Sequence, residues 1–467
     1  MATDNETGPS VALPLREVDP DALKVVRKLL ARGHETYLVG GCVRDLYLRR
    51  RPKDFDVATS ATPEQIRKTF RNSRIIGRRF KLAHVFFGSK IIETSTFRTT
   101  PRATEGDDVM ITHDNEWGSI EDDAKRRDFT INGLFHDLEN NSIVDLVDGI
   151  PDLDRGVIRT IGEPLLRFQE DPVRMIRAIK FAARLDFTIE EKTWNALLAT
   201  AGDIAKCSRA RLLEEVYKLL RGGASRRSFE LLIEAKIFPF VLPSYIELFH
   251  ERTKVGLVRS RHFPKNKELA ETENGDVDPL PAEYHPSRLF WEFLDALDEY
   301  TIETGQMASN GVLLAILLAP IIDQEWINAS RRDLDRTIDA TMDQLCAPLG
   351  VARRDRELAR QILMAHRRMV GPSKRRRRRP SLVQRQYFHD ALVFLGIAVQ
   401  ARGEDNSEFS HWQHLAATVA PIVSSEDSPR TDKRPRRRGG RPRRRGRSGA
   451  SARSSRASGS GSGSGPG

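Results

Sequence analysis

The hydrophobic pattern of this chain changes character near Pro172, and that change limits the folds open to it. From Pro172 onward apolar residues recur almost wholly at helical spacing: Val173, Ile176, Ile179 and Ala183, then Leu212, Val216 and Leu219. From about Asp21 to Val147 the pattern mixes short strands with short helices. Tyr37–Gly40 reads as a β-rich run ending in two glycines, followed by a helix-like stretch from Val43. Asp54–Ala58 reads as another strand. Thr62-Pro63-Glu64-Gln65 is a capping-box helix start. Val85–Phe87 and Ile91–Phe97 read as strands joined through Gly88-Ser89.

Composition adds two limits. The three cysteines, Cys42, Cys207 and Cys346, lie far apart without a C-x-x-C, which excludes a disulfide scaffold or zinc ribbon and fits a reducing compartment. The longest apolar run, Val312 to Ile322, is interrupted by Pro320 and is shorter than the ~18 residues a membrane span needs. It reads as a buried core helix. The polar start MATDNETGPS does not resemble a signal peptide, so the expectation is a soluble, cytoplasmic protein with no membrane partner.

The formal net charge of +11 is unevenly placed. Arg430–Gly467 carries thirteen Lys and Arg against one acid, Asp432, while Met1–Pro429 holds 63 basic and 64 acidic residues. That Arg-, Gly- and Ser-rich tail lacks the apolar residues needed to fold, and it suits RNA or another polyanion. A second basic run, Lys374-Arg375-Arg376-Arg377-Arg378-Arg379, is a further RNA-binding candidate, or else a solvated, self-repelling loop.

Asp54-Phe55-Asp56 is the sharpest chemical feature. In a strand, residues i and i+2 share a face, so the two carboxylates would stand close together and repel unless a cation lay between them. Such a pair suits Mg²⁺, which takes a few protein oxygens and keeps places for water and phosphate. Alone, D-x-D also occurs on ordinary surface strands. Three neighbours strengthen it. Gly40-Gly41-Cys42-Val43-Arg44-Asp45 offers close backbone approach and a cation for phosphate, or simply a tight turn with an Arg44–Asp45 surface pair. Glu93 lies in a strand that either faces the same cleft or turns to solvent. Arg126-Arg127-Asp128-Phe129-Thr130-Ile131-Asn132 combines cations with orienting groups, or is a charged surface helix start.

These three segments resemble the head motifs of the class II nucleotidyltransferases, the polymerase-β-superfamily group that contains the CCA-adding tRNA enzymes and the bacterial poly(A) polymerases. Phe168 to Ala178 resembles that family's nucleobase-reading helix, and Arg211-Leu212-Leu213-Glu214-Glu215 its R-x-x-x-E motif. The five motifs keep the family's order over about residues 37–220. Gly133, after Asn132, departs from the usual small residue there and reads as tolerated. Ile75 to Val85, the basic run before the helical stretch Tyr387–Ile397, and the Arg-rich tail are similar to the poly(A) polymerase branch.

The resemblance implies an α+β fold: a polymerase-β-type head with a small mixed sheet and helices, then an all-α neck and body and a disordered basic tail. The expected divisions are a disordered 1–20, the head at 21–160, and a nucleobase-reading, RNA-binding neck at 161–230. The body follows at 231–425, with a mobile loop near 259–287, and the tail at 426–467. The implied activity is template-independent addition of AMP from ATP to RNA 3′ ends, with CCA addition to tRNA as the alternative. Asp54, Asp56 and Glu93 would hold two Mg²⁺ ions, and Asp128 joins them as a catalytic acid. Gly40, Gly41, Arg44, Arg98, Arg127 and Asn132 would bind the nucleotide. Asp171, Arg174 and Arg177, placed on one helix, would read its base. The same stretch also permits an ordinary Glu170–Arg174 pair worth about 0.2–0.5 kcal/mol. Arg211 and Glu215 read as a brace for that helix. A reading from another class is an RNA-binding protein with a retired head. The His-Asp dipeptides at 113, 136 and 389 lack the partners of a phosphohydrolase site, and no G-x-x-x-x-G-K-[ST] is present.

Overall fold

The chain before Pro172 is organised around one mixed sheet. The computed structural model describes residues 13–77, 81–99, 116–243, 286–326, 331–370 and 380–418. Its strands are β1 (Thr36–Val39), β2 (Asp56–Thr59), β3 (Ser73–Ile76), β4 (Leu82–Phe87), β5 (Lys90–Thr96), β6 (Leu134–Asp137) and β7 (Ser142–Asp145). They run in the order β3-β4-β5-β2-β1-β6-β7. β2 and β5 are parallel, and the other neighbours are antiparallel.

Several local expectations are met. Thr62 and Gln65 form the reciprocal capping box of helix Pro63–Thr69. Phe87 pairs with Lys90 across Gly88-Ser89, and Gly88 takes the positive φ of 62° that a tight hairpin turn requires. The strand expected at Asp54–Ala58 instead begins at Asp56. Its partner β1 ends at Val39, the residue opposite Asp56, because the chain turns at Gly40 with φ 75°. No ladder partner therefore remains for Asp54, which lies exposed in the approach to the strand.

One sheet face is filled by Leu38, Val57, Ala83, Val85 and Ile92, and it joins a core that includes Val25 and Leu29 of helix Pro20–Leu30. On the other face Val39, Ala58, Phe97 and Phe135 pack under Ile120 and Ala124 of the short helix α1 (Ile120–Lys125). Residues 13–20, expected to be disordered, are corrected by their burial: Leu13 and Val18 join the main core and Asp19 caps helix Pro20–Leu30. Residues 1–12 lie outside the described residues.

Beyond the sheet the described residues are nearly all helical, as the periodicity predicts. The neck carries α2 (Pro164–Glu170), α3 (Val173–Leu185) and α4 (Arg209–Leu220). The break between α2 and α3 falls at Asp171-Pro172, since the residue before a proline is driven out of helical geometry. Asp171 has φ −151° and ψ 90°. In the body, Val312 to Ile322 is fully buried within helix Asn310–Trp326, with Pro320 inside it. Among the described residues no helix is long and apolar enough to cross a membrane. One hydrophobic core runs from Leu13 to Ala401, through the boundaries expected at 160 and 230. Of the expected mobile loop, Ser287 is described, as the cap of helix Arg288–Thr304, and 259–285 lie outside the described residues. So do the basic run 374–379 and the tail 426–467.

Candidate active site

The carboxylates sit where β2 meets β5. The two strands are parallel with Val57 opposite Thr94, which sets Asp56 beside Glu93 on the same sheet face. Asp56 is half-buried; burial, then the charges of Asp54 and Glu93, push its carboxyl up to about 7, against the opposing pull of Arg127. Asp54 and Glu93 are exposed. Among the described residues no group of three acidic, His or Cys side chains is closed into a ready-made metal cage. The set is nonetheless hard oxygen donors whose mutual repulsion raises a proton affinity, and a divalent cation would relieve it.

Across Asp56 from Glu93 lies β1, with Gly40 in the turn just after it. A methyl on Gly40 would meet Arg127 Nη1 at 3.5 Å and the Asn132 carbonyl oxygen at 3.7 Å. Arg127 is held from beneath, its Nε and Nη2 donating to Asp123 Oδ2 at 3.1 and 2.8 Å. Asp123 is fully buried on α1 and also accepts from Arg126 Nε and Nη2 at Oδ1 and from the Arg98 amide. Burial works to raise its carboxyl, but Arg127 and Arg126 hold it below the usual range. Asp123 was not singled out in the sequence. The signal available was its spacing, three and four residues before the two arginines on a helix.

Arg44 departs from its expected role. It is buried, gives Nε and Nη2 to Asp45 Oδ1 at 2.8 and 2.7 Å, gives Nη1 to Asn132 Oδ1 at 2.7 Å, and lies 5.2 Å from the Phe181 ring centre. The anticipated Arg44–Asp45 pair exists, inside the protein rather than on its surface. Asn132 Nδ2 continues to Asp128 Oδ1 at 3.3 Å, and Asp128 Oδ2 meets Arg177 Nη2 of α3 at 2.6 Å. A polar chain thus ties the glycine motif, the Arg-Arg-Asp motif and the neck together. Burial opposes ionisation of Asp128, but Arg177, Asn132 and the Phe129 amide hold its carboxyl below the usual range. Arg98 is also buried, with Nη2 on the Lys81 carbonyl, so it too is committed to protein. Gly133 is more than tolerated: a methyl there would strike Val147 Cγ2 at 2.5 Å.

The neck residues are rearranged relative to expectation. Asp171, expected on the helix with Arg174 and Arg177, lies at the break and is clasped by Arg211 of α4 through two bonds of 2.9 Å. Arg174 makes the ordinary pair with Glu170 at 3.0 Å and donates to the Arg167 carbonyl at 2.8 Å. Arg211 does brace the neck, but through Asp171; Glu215 instead meets Lys218 and Lys180. Arg167, not foreseen, is buried and bonds the carbonyls of Arg126 and Arg127 at 2.6 and 2.7 Å, coupling α2 to the end of α1.

Comparison with known proteins places these features in a family. Residues 36–159 match the model "Poly A polymerase head domain", and residues 186–248 match "Probable RNA and SrmB- binding site of polymerase A". The chain is 35% identical to Poly(A) polymerase I of Salmonella typhi over 93% of its own length and 90% of the relative's. It is 36% identical to the CCA-adding enzyme of Bacillus subtilis over 52% of its own length and 59% of the relative's. The crystal structure of the Bacillus stearothermophilus CCA-adding enzyme in complex with CTP superimposes with a TM-score of 0.59 at 24% identity, covering 86% of this chain and 83% of that one, and so shares the fold.

Proposed function

Because the chain belongs to the bacterial poly(A) polymerase I family of nucleotidyltransferases, we propose that it extends RNA 3′ ends without a template, transferring AMP from ATP and releasing pyrophosphate. The observation that carries the chemistry is the placement of Asp56: crowded by Asp54 and Glu93 on one side and faced by Arg127 and Gly40 on the other. The match to poly(A) polymerase I continues through neck and body, whereas the match to the CCA-adding enzyme of Bacillus subtilis covers about half of the chain. That difference supports poly(A) synthesis over CCA addition.

Asp54, Asp56 and Glu93 are the residues that would hold Mg²⁺, two ions being expected. When bound, Mg²⁺ supplies Lewis-acid stabilisation of the attacking and departing oxygens. The protein's own part is positioning. Gly40 leaves room for close backbone approach beside Arg127, whose guanidinium offers charge-assisted bonds to a triphosphate. Gly41 continues that turn. Asp128 and Asn132 fix the floor through Arg177 and Arg44. Asp171 and Arg174 stand next to one another at the head of the neck, and base choice rests on them together with Arg211. ATP and RNA 3′ ends are the substrates, and the cytoplasm is the compartment that supplies both. The basic run Lys374–Arg379 and the tail hold RNA through its phosphates.

The double variant Asp54→Ala, Asp56→Ala tests the site. Incorporation should fall to background while RNA binding stays near the parent value. Unchanged incorporation would refute the site and favour an RNA-binding protein with a retired head.

A further inference from the structure

Among the described residues, the sheet face that carries Asp56 is covered only in part. Over β1, β2 and β6 it lies beneath α1. Over β5, β4 and β3 it continues as a row directly in register: Glu93 opposite His84, and His84 opposite Arg74. Opposed residues in adjacent strands share a face, so Asp56, Glu93, His84 and Arg74 form one line across four strands, roughly 14 Å long. His84 Nε2 lies 3.5 Å from Glu93 Oε1. Beside the row, Phe86 stands edge-on to the His84 ring with centroids 6.4 Å apart and has the Arg74 guanidinium 6.0 Å from its own centroid. Ile91, opposite Phe86, is 43% exposed, and so is Ile76 at the end of β3. Ile91 and Ile76 thus leave apolar surface open beside Phe86 and the charged row.

We infer that this open face of β3, β4 and β5 is the track on which the last nucleotides of the RNA acceptor lie, with bases against Phe86 and His84 and a phosphate near Arg74. The inference rests on the proposed polymerase activity and names the surface that serves it. Two observations select single-stranded RNA. The first is position. Gly40 and Arg127, the nucleotide side, flank Asp56 from β1, and the open face flanks it from β5. A displacement at phosphorus brings attacker and leaving group from opposite sides, so the acceptor 3′ end belongs on the β5 side. The second is composition. A half-buried aromatic ring and imidazole beside an exposed guanidinium are the groups on which unpaired bases stack, whatever their sequence. The face also accounts for part of the Ile75–Val85 segment: its alternate residues Ile76, Leu82 and His84 point to this side.

The test uses the full chain with a short oligo(A) acceptor. In Phe86→Ser and Arg74→Glu the acceptor KM should rise about tenfold or more, while the KM for ATP stays within about twofold of the parent. An acceptor with 4-thiouridine next to its 3′ end should crosslink to β3 or β4 peptides of the parent and lose that crosslink in Phe86→Ser. Arg74→Ala, at an exposed position, keeps the test independent of folding, and it should raise the acceptor KM without altering the thermal melt. An unchanged acceptor KM in Arg74→Ala and Arg74→Glu, or crosslinks confined to other segments, would overturn the inference. A parent that adds no nucleotide to any RNA would instead overturn the activity it rests on.

Discussion

Arg44 Nη1 donates to Asn132 Oδ1 at 2.7 Å, joining side chains 88 residues apart in the chain. Both belong to motifs whose sequence suggests direct nucleotide contact, yet both are buried and face each other. The motifs therefore act first as a frame. Arg44→Ala would leave Asp45 without its principal cation and Asn132 without a donor. It should cost about 3–5 kcal/mol of stability, read as a lower urea midpoint. Arg44→Lys, which lacks the fork, should recover only part of it. An unchanged midpoint with a raised ATP KM would instead return Arg44 to the phosphate site.

Asp123 holds Arg127 at the glycine turn without touching the nucleotide itself. Asp123→Asn keeps the shape and removes the charge that aims both arginines. The expected result is a drop in kcat/KM for ATP of about a hundredfold, the scale of a small misplacement in an active site. Acceptor KM should be unaffected. Equal losses for ATP and acceptor would point to general unfolding rather than aim.

The Asp128–Arg177 pair ties the head to the neck, and its pH dependence has a definite sign. The carboxyl of Asp128 is held below its ordinary value in the folded protein. Its contribution is therefore present above the unfolded value of about 3.9 and is lost as pH falls through the depressed folded value. Arg177→Gln should cost about 1–2 kcal/mol at pH 7, since Arg177 is partly exposed and its charge is screened. The stability gap between parent and variant should shrink below about pH 4. A gap that is constant from pH 7 to pH 3 would assign the loss to packing.

The two-bond clasp of Asp171 by Arg211 fixes a side chain at the head of α3. Lysine cannot reproduce that fork. Arg211→Lys should relax the preference for ATP over CTP by about tenfold, measured by single-nucleotide incorporation. Retained preference would remove Arg211 from base choice.

Much of this was legible because it rests on local chemistry. The Thr62 capping box, the Gly88-Ser89 turn and the switch to helical periodicity depend on residues within a few positions of each other. The D-x-D and glycine motifs point to the candidate site for the same reason. The fate of Arg44, Arg98 and Arg174 was not legible, because a guanidinium in a motif reads the same whether it meets phosphate or a buried carboxylate brought from afar. Asp171 is intermediate: it reads as part of one helix with Arg174 and Arg177, although Pro172 beside it disfavours a continuous helix. Asp123 offered only its spacing to Arg126 and Arg127, which an ordinary surface helix pair shares. Arg167 acts on the carbonyls of Arg126 and Arg127, 41 and 40 residues away in the chain, which nothing local announces.

The most direct test offers the purified chain a generic RNA and a tRNA lacking its terminal C, C and A, each with ATP or CTP alone and with both. Long A-tails on the generic RNA, made from ATP and not from CTP, are the expected result. Addition confined to the tRNA, ending after a few C and A residues, would contradict it.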